Sequence, residues 1–252
     1  MTLRRLLPDP ASSALDELYA GLTLDDPVPG RGVHVALCMV ASADGAVAVD
    51  GLSGGLGGAA DLRAISQLRG ANDVSLVGAG TVRDEGYVPL TGSAERQADR
   101  RARGLRHAPR LAIVTASGRL APELAVFSDP AEPPIVLAAE GADREALAAI
   151  EDRAEVHVVA GASGDLDAAA ITTALADLGL PRVLCEGGPR LNQVMLAGGR
   201  IDEVFLTLAP TLVGGPAARI IAGDIEVATQ LTLVSAYEHE GDLLLRYRCR
   251  QG

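Results

Sequence analysis

The residues with the clearest chemical potential lie in one short junction, Glu186-Gly187-Gly188-Pro189. An apolar run at residues 183–185 precedes the junction and predicts a buried strand, while Leu191, Val194 and Met195 follow at the spacing of one helical face. Glycine permits a sharp turn and a close ligand approach, and proline suits the first position of a helix because its missing N–H costs nothing there. The free amides of such a helix start bind anions, so the junction predicts a phosphate site.

Two carboxylates in the sequence could act on a substrate. Glu186 would repel a phosphate bound at the junction, so it is expected to point toward the reacting part of a substrate. Asp44 follows an apolar strand at residues 33–41 and precedes the glycine-rich residues 51–58, so one interpretation is a carboxylate at the rim of a sheet beneath a flexible cover. The other interpretation is an Asp-Gly turn between two hairpin strands, which is the commoner use of that dipeptide.

Two further strand ends carry groups suited to a nucleotide. A strand at residues 74–77 runs into Gly78-Ala79-Gly80-Thr81-Val82-Arg83, which differs from the dinucleotide fingerprint because Arg83 replaces its third glycine. A strand at residues 110–114 precedes Thr115-Ala116-Ser117-Gly118-Arg119. Its hydroxyls and guanidinium could hold a phosphate monoester, such as the 2′-phosphate of an adenosine ribose. A hydroxyl-rich turn without a ligand is an equally open interpretation.

The order of predicted elements indicates an α/β fold. Strands and helices alternate from residue 74 to residue 196, which predicts a largely parallel sheet covered on both faces. Polar residues 85–108 are predicted to form a solvated surface helix or loop with an arginine cluster. Strands without intervening helices follow, which predicts an antiparallel C-terminal part. The other predicted helices are 61–69, 143–152 and 166–178, and the other predicted strands are 135–138, 156–159, 203–209, 230–238 and 243–249.

The first 32 residues are predicted to form an arm rather than part of the domain. Residues 12–20 predict a short helix, and the segment at residues 25–30, with two prolines and a glycine, ends it. Residues 33–252 are therefore predicted to form one domain.

The composition restricts the classes of function. A net charge of −11 over 252 residues argues against binding to nucleic acid or to an anionic membrane, because both require a basic surface. The four histidines show no metal-ligand spacing, so no metal is expected. Cys38, Cys185 and Cys249 lie in apolar runs and are interpreted as reduced core residues. With no signal-peptide pattern and no apolar run of membrane-spanning length, a cytoplasmic location is expected.

Several stretches taken together resemble the RibD C-terminal family, the reductase domain of bacterial riboflavin-biosynthesis enzymes. This resemblance implies a dihydrofolate-reductase-like, three-layer α/β/α fold. The matching stretches occur in the family's order, and they are Ala41-Ser42-Ala43-Asp44-Gly45, Leu68-Arg69, residues 73–82, Glu186-Gly187-Gly188-Pro189, Ile201-Asp202-Glu203 and residues 208–215.

The resemblance implies an NADPH-dependent reductase, whose glycine pair and following helix hold the cofactor pyrophosphate. An arginine beside the adenosine is a further hypothesis, because stacking aromatic residues are scarce at 2% of the chain. The implied cofactor-binding residues are Ser53, Gly78, Thr81, Thr115, Ser117, Gly187, Gly188, Pro189, Arg190 and Leu191, and the hypothesised arginine is Arg119.

The implied reaction is hydride delivery to C1′ of a ribosylamino-pyrimidine phosphate, through its ring-opened imine, to give the ribitylamino product. Arg69 and Glu186 match the family's substrate contacts, and Asp44 matches an acidic residue near the nicotinamide. Opening the sugar and reducing the imine require proton movement, so Asp44 and Glu186 are the catalytic candidates, and the choice between them stays open. Family members are commonly homodimers, and the C-terminal strands are the expected interface.

The sequence departs from the family at two places that bear on the substrate. Ala46 stands where the family often has a basic residue, and residues 85–90 replace its Asp-Pro segment. A dihydrofolate or pteridine reductase of the same fold is therefore one alternative. A non-catalytic nucleotide-binding protein is the other.

Overall fold

One continuous sheet forms the centre of the structure, a computed structural model that describes residues 2–161 and 166–250. The predicted arm, residues 1–32, includes residue 1, and the predicted domain, residues 33–252, includes residues 162–165 and 251–252. These residues lie outside the described ranges. The strands of the sheet are β1 (Thr2–Leu7), β2 (Ala11–Ala14), β3 (His34–Ser42), β4 (Val74–Gly78), β5 (Arg110–Thr115), β6 (Ile135–Ala139), β7 (Glu155–Val159), β8 (Arg182–Cys185), β9 (Glu203–Ala209), β10 (Leu231–His239) and β11 (Asp242–Cys249).

Helices cover the sheet between its strands. Short 3-10 turns at Leu15–Glu17, Ser53–Gly55 and Ala125–Phe127 supplement them. The α-helices are α1 (Ala59–Ala71), α2 (Ala79–Asp84), α3 (Ala94–Ala102), α4 (Arg144–Ala148), α5 (Ala168–Asp177) and α6 (Pro189–Ala197).

The sheet divides into a parallel and an antiparallel part, as the sequence predicted. Its strand order is β2-β1-β10-β11-β9-β3-β8-β4-β5-β6-β7. Every pairing from β9 to β7 is parallel, and the pairings from β2 to β9 are antiparallel. Each strand predicted from sequence is found to within one residue at either end, because apolar runs mark buried strands directly.

Side chains on the central strand β3 alternate between two cores, which produces the three layers. Val35 and Leu37 pack with residues of α5 and α6, whereas Ala36 and Cys38 pack with residues of α1 on the other face. All four side chains are buried. The period of two along the strand therefore places α1 opposite α5 and α6.

The N-terminal segment differs from its prediction. The helix predicted at residues 12–20 is wrong, since β2 occupies its first residues and the 3-10 turn Leu15–Glu17 follows. β1 pairs with β10, and Leu18 and Tyr19 are buried against the sheet, where Tyr19 makes edge contacts with Phe205 and Tyr237. The segment is thus part of the sheet and core rather than a separate arm. The open edge of β10 and these apolar contacts override the weak local helix pattern.

The polar segment before β5 is also less solvated than predicted. Arg100 of α3 is fully buried, and its guanidinium donates to the backbone oxygens of Arg69 at 2.8 Å and Arg106 at 2.9 Å. Burial lowers the pKa of Arg100 to about 10. The side chain caps the C-terminal end of α1, where a cation is favoured by the exposed carbonyls.

The hairpin interpretation of Asp44-Gly45 is wrong. β3 pairs with β8 as far as Leu37 and with β9 as far as Ser42, and no strand that pairs back onto β3 follows the turn. Residues 43–44 form a turn, and residues 45–48 run on without strand structure.

Candidate active site

A cleft of about 1040 Å³ opens at the carboxyl ends of the parallel strands. Gly78 ends β4, Thr115 ends β5, and α6 begins on the opposite wall at Pro189. The crevice beyond the carboxyl ends of parallel strands is where ligands bind in open α/β sheets. Its volume is close to the upper limit of the range for ligand and cofactor sites, about 300–1,000 Å³.

A second cleft of about 550 Å³ adjoins the first. Its walls come from β3, α1, the 51–53 loop and the segment after α2. It contains four carboxyl side chains and one guanidinium, namely Asp61, Asp84, Glu85, Glu186 and Arg69. Thr81, Asp84, Gly188, Pro189 and Ala218 line both clefts, so together they form one groove with Gly188 at the joint.

The joint admits no side chain larger than hydrogen at two consecutive positions. Gly187 has a φ of +89°, and a Cβ there would lie 2.9 Å from the sulfur of Met39. A Cβ on Gly188 would lie 2.6 Å from Oγ1 of Thr81. The Gly78 N–H donates to the Gly187 carbonyl at 2.8 Å, which ties the joint to the end of β4, and the Gly187–Gly188 peptide bond is cis.

The start of α6 presents unpaired amides to the larger cleft. Pro189 occupies the first helical turn, Gly188 is the N-cap, and no side chain caps the helix. The amides of Arg190 and Leu191 belong to the first turn and have no acceptor within the helix, and both residues line the larger cleft. Buried Asn192 donates to the Ile220 carbonyl at 2.6 Å, which holds the 218–222 segment against the groove.

Glu186 is held on the wall of the smaller cleft by three side chains. Arg69 Nε donates to Oε1 at 2.8 Å and its Nη2 donates to Oε2 at 2.6 Å, so the pair is bidentate. The Tyr87 hydroxyl donates to Oε2 at 2.7 Å, and the Ser75 side chain also hydrogen-bonds to the carboxylate. Only 2% of the Glu186 side chain is exposed. The carboxylate is therefore fixed in position with its charge compensated.

These contacts keep Glu186 ionised despite its burial. Burial acts to raise the pKa of Glu186, but the hydrogen bonds and charge of Arg69, with the two hydroxyls, lower it below its usual value. Burial opposes the charge of Arg69, yet its hydrogen bonds to Glu186 raise the Arg69 pKa. Burial and the nearby carboxylate raise the pKa of Tyr87, which stays a neutral donor.

Asp44 lies outside the residues that line either cleft. Its carboxylate accepts hydrogen bonds from the Ser42 hydroxyl, the Val213 amide at 3.1 Å and the Gly214 amide at 2.7 Å. These bonds, led by the one from Ser42, lower the pKa of Asp44 to about 2. Asp44 therefore anchors the 211–214 segment to the end of β3.

The far end of the larger cleft contains the predicted hydroxyls but not the predicted arginine. Thr115 and Ser117 line the cleft, whereas Arg119 does not. The Arg119 side chain is 77% exposed and its Nε lies 3.3 Å from the carboxylate of Asp143. Arg83, which sequence reasoning treated only as a mismatch to the fingerprint, lines the cleft instead.

The structure brings most of the predicted residues to one groove. Asp44, Arg119 and Gly187 lie outside the residues that line it. Sequence reasoning missed Asp61, Arg83 and Tyr87, although Tyr87 lies in the segment noted for departing from the family. The predicted residues that line the groove are Ser53, Arg69, Gly78, Thr81, Thr115, Ser117, Glu186, Gly188, Pro189, Arg190 and Leu191.

Residues 2–161 and 166–250 contain neither a metal cluster nor a membrane-spanning helix. No cluster of three or more histidine, cysteine, aspartate or glutamate side chains with metal-binding geometry occurs there. None of the helices in those ranges combines the length and the hydropathy of a membrane span.

Sequence comparison finds relatives along most of the chain. The 2,5-diamino-6-ribosylamino-4(3H)-pyrimidinone 5′-phosphate reductase of Methanothermobacter thermautotrophicus is 32% identical over 220 residues, which are 85% of this chain and 97% of that protein. The protein of the same name from Archaeoglobus fulgidus is 27% identical over 155 residues, covering 62% and 69% of the two chains.

Solved structures share the fold at lower identity. A pyrimidine reductase-like protein from Corynebacterium diphtheriae superposes with a TM-score of 0.81 at 23% identity, covering 95% of this chain and all of that one. The riboflavin biosynthesis reductase Rib7 of Saccharomyces cerevisiae gives 0.67 at 18% identity, covering 92% and 95%. Residues 33–245 match the RibD C-terminal domain, and this chain therefore belongs to the RibD C-terminal family, with its dihydrofolate-reductase-like fold.

Proposed function

We propose that this protein is an NADPH-dependent reductase of riboflavin biosynthesis. Its substrate would be a ribosylamino-pyrimidine phosphate of the 5-amino-6-(5-phosphoribosylamino)uracil type, reduced to the ribitylamino compound. The observation that carries the proposal is the single groove, in which the start of α6 and the fixed carboxylate of Glu186 meet at Gly188. The names of the two sequence relatives agree with a reductase of this substrate class.

The larger cleft fits a dinucleotide. Free amides at the start of α6 suit a diphosphate, and the two glycines at the joint let it approach the backbone without a side chain in the way. NADPH, when bound, would supply the hydride. The residues of the larger cleft that would hold it are Gly78, Thr81, Thr115, Ser117, Gly188, Pro189, Arg190 and Leu191. Ser53 would approach it from the adjoining smaller cleft, and Gly187 would contribute only to the shape of the joint.

Glu186 and Arg69 would act on the substrate as a pair. A ring-opened ribosylamine carries positive charge at its C1′=N bond, and a carboxylate that is already fixed in position stabilises such charge. Arg69 holds the carboxylate in place through two hydrogen bonds and presents the rest of its guanidinium to the cleft. Because Glu186 is ionised, it would stabilise the iminium rather than donate a proton.

Asp44 would position the neighbouring 211–214 segment rather than act on the substrate. The sequence-based catalytic role would require its carboxylate to reach the nicotinamide, whereas both of its oxygens already bind the 213–214 amides or Ser42. We propose that Asp44 orders the 211–214 segment at the end of β3 and that Glu186 is the carboxylate that faces the reacting carbon.

The experiment that tests the function is an assay of NADPH oxidation at 340 nm with purified protein. The ribosylamino-pyrimidine phosphate should be turned over, and dihydrofolate should not. The dephosphorylated pyrimidine is assayed as well, because the smaller cleft contains four carboxyl groups and only one guanidinium that could pair with a substrate phosphate. Turnover of dihydrofolate alone would identify a pteridine reductase, and NADPH binding without turnover of any compound would identify a nucleotide-binding protein.

Arg83 is expected to determine the preference for NADPH over NADH. Arg83 lines the larger cleft together with Thr115 and Ser117, and its guanidinium donates to the Arg119 carbonyl at 3.3 Å, so we expect it to reach the 2′-phosphate of the adenosine ribose. A hydrogen bond to a charged group contributes about 1.5–3 kcal/mol, so Arg83→Ala should weaken NADPH binding roughly 10- to 100-fold and leave NADH binding nearly unchanged. Titration of cofactor fluorescence measures both dissociation constants.

Arg119→Ala is the matched control for this prediction. The exposed Arg119 side chain already pairs with Asp143, so its loss should change the preference less than about threefold. If Arg119→Ala abolishes the preference and Arg83→Ala does not, the assignment of Arg119 from sequence is the correct one.

A homodimer is proposed through the C-terminal strands. β1 pairs with β10 only along residues 236–238, so the described residues leave the edge of β10 open at residues 231–235, where Leu231 and Leu233 are about 40% exposed. Wild-type protein should sediment as a dimer and Leu233→Glu as a monomer, because a charge on an apolar interface is costly. Val158→Glu, at an exposed position on the opposite edge strand β7, should stay dimeric. A monomeric wild type would exclude the interface.

A cytoplasmic location is also proposed. Cys38, Cys185 and Cys249 are buried free thiols, which suits a reducing compartment. Cell fractionation with an antibody to the protein tests the location, and recovery in a membrane or extracellular fraction would contradict it.

A further inference from the structure

The smaller cleft contains a second carboxyl group, partly buried, that the proposed roles leave unused. Asp61 is the third residue of α1 and lines the cleft. The Thr207 side chain of β9 hydrogen-bonds to the carboxyl group. The 57–58 loop covers it so closely that a Cβ on Gly57 would lie 2.5 Å from Oδ2 of Asp61. The group is thus enclosed by protein on one side and open to the cleft on the other.

Asp61 and Glu186 occupy opposite electrostatic environments within this one cleft. Glu186 has Arg69 as a bidentate partner. Across the described residues, no arginine or histidine lies within 4.0 Å of the Asp61 carboxyl, and the nearby titratable groups are the carboxyl of Asp242 on β11 and the thiol of Cys38 on β3. Burial raises the pKa of Asp61, Thr207 opposes the shift, and the charge of Asp242 adds to it.

Cys38 shows that the two carboxyls face the same region. The buried Cys38 side chain, Asp61 and Glu186 all line the smaller cleft, and the pKa of the thiol is raised by burial and then by the charges of both carboxyls. Two carboxyl groups whose environments separate their protonation are the arrangement by which enzymes divide acid and charge-stabilising roles. Here the pKa of Glu186 is lowered and the pKa of Asp61 is raised, so Asp61 is the better placed of the two to donate a proton.

We propose that Asp61 is the general acid that opens the sugar ring of the substrate, from its position on the wall of the smaller cleft. The proposal rests on the proposed reductase function. In this step the C1′–O4′ bond breaks and its electron pair stays on O4′, which takes the proton of Asp61. The lone pair of the exocyclic nitrogen forms the C1′=N bond, so the substrate becomes an iminium and Asp61 becomes a carboxylate.

The remaining half of the reaction balances without another acid. C1′ receives a hydride, and the electron pair of the C1′=N bond returns to nitrogen, which gives the neutral ribitylamino product. One proton and one hydride have then been added to the substrate. Asp61 takes a proton from water before the next turnover, and Glu186 is unchanged throughout.

Asp61→Asn is the test, because the amide keeps the size of the carboxyl group but has no acidic proton to transfer to O4′. The variant should lose about 10²-fold in kcat with little change in KM, and it should lose the fall in kcat that wild type shows as pH rises through the Asp61 pKa. Asp242→Asn, outside the cleft lining, removes a neighbouring negative charge and should keep turnover while shifting that fall to lower pH. Unchanged kcat and pH profile in Asp61→Asn would overturn the proposal.

A second readout is independent of turnover. In protein labelled with ¹³C at aspartate carboxyls, the resonance absent from Asp61→Asn should titrate above the usual aspartate value of about 3.9. A resonance that titrates at or below that value would overturn the acid role. If wild type reduces none of the assayed compounds, the reductase function fails, whereas an active wild type matched by Asp61→Asn would reject Asp61 alone.

Discussion

Replacing Glu186 with glutamine is expected to reduce kcat by about 10²- to 10³-fold, the range found when one group that stabilises transition-state charge is removed. The glutamine is neutral, so it cannot stabilise the iminium, but it keeps the size of the side chain and an acceptor for Arg69. The start of α6 is untouched, so the dissociation constant for NADPH should change less than about threefold. Stopped-flow single turnovers and cofactor titration measure the two quantities separately.

Glu186→Gln will also lower the free energy of unfolding, because it removes a buried charge that pairs with Arg69. Breaking a buried ion pair costs about 3–5 kcal/mol when one partner is removed, and the retained amide oxygen should reduce this cost. Thermal unfolding by circular dichroism must therefore show that Glu186→Gln is folded at the assay temperature. Glu155→Gln, which breaks a pair with Arg110 on the far edge of the sheet, should leave kcat unchanged. An equal loss of cofactor affinity and turnover would show that Glu186 has another role.

Replacing Gly188 with alanine is expected to weaken NADPH binding by about 100-fold. The added methyl group would lie 2.6 Å from Oγ1 of Thr81 at the joint of the two clefts, so either the backbone or Thr81 must move. Overpacking of this kind costs about 1–3 kcal/mol, and the same methyl group would obstruct a diphosphate at the start of α6. Isothermal titration with NADPH measures the loss.

Two further variants separate the fold from the site. Gly70→Ala places a methyl group where no heavy atom lies within 4 Å, so NADPH binding should be unchanged and the helix α1 slightly more stable. Adding Thr81→Ala to Gly188→Ala removes the clashing oxygen and should restore thermal stability without restoring affinity. Full affinity in Gly188→Ala would place the diphosphate away from this joint and would contradict the assignment of the larger cleft.

The sequence by itself determined strands β3 to β11, the parallel and antiparallel parts, and the junction before α6. These features depend on local properties. An apolar run marks a buried strand, Pro189 fixes the backbone angle of a first helical turn, and glycines at residues 187–188 leave room for a ligand. The family stretches are local too, so most of the predicted cofactor residues line the groove.

Only the tertiary structure decided which polar groups meet. Arg69 and Glu186 are 117 residues apart, and their bidentate contact depends on how α1 and β8 pack across the sheet. Tertiary packing likewise decides the burial of Arg100 and the pairing of β1 with β10. It also decides which amides bind Asp44, and among the described residues it leaves no cation beside Asp61. Local periodicity fixes the face on which a residue lies, but strand order and register fix its neighbours. The neighbours, in turn, decide whether the pKa of a carboxyl group is lowered, as for Glu186, or raised, as for Asp61.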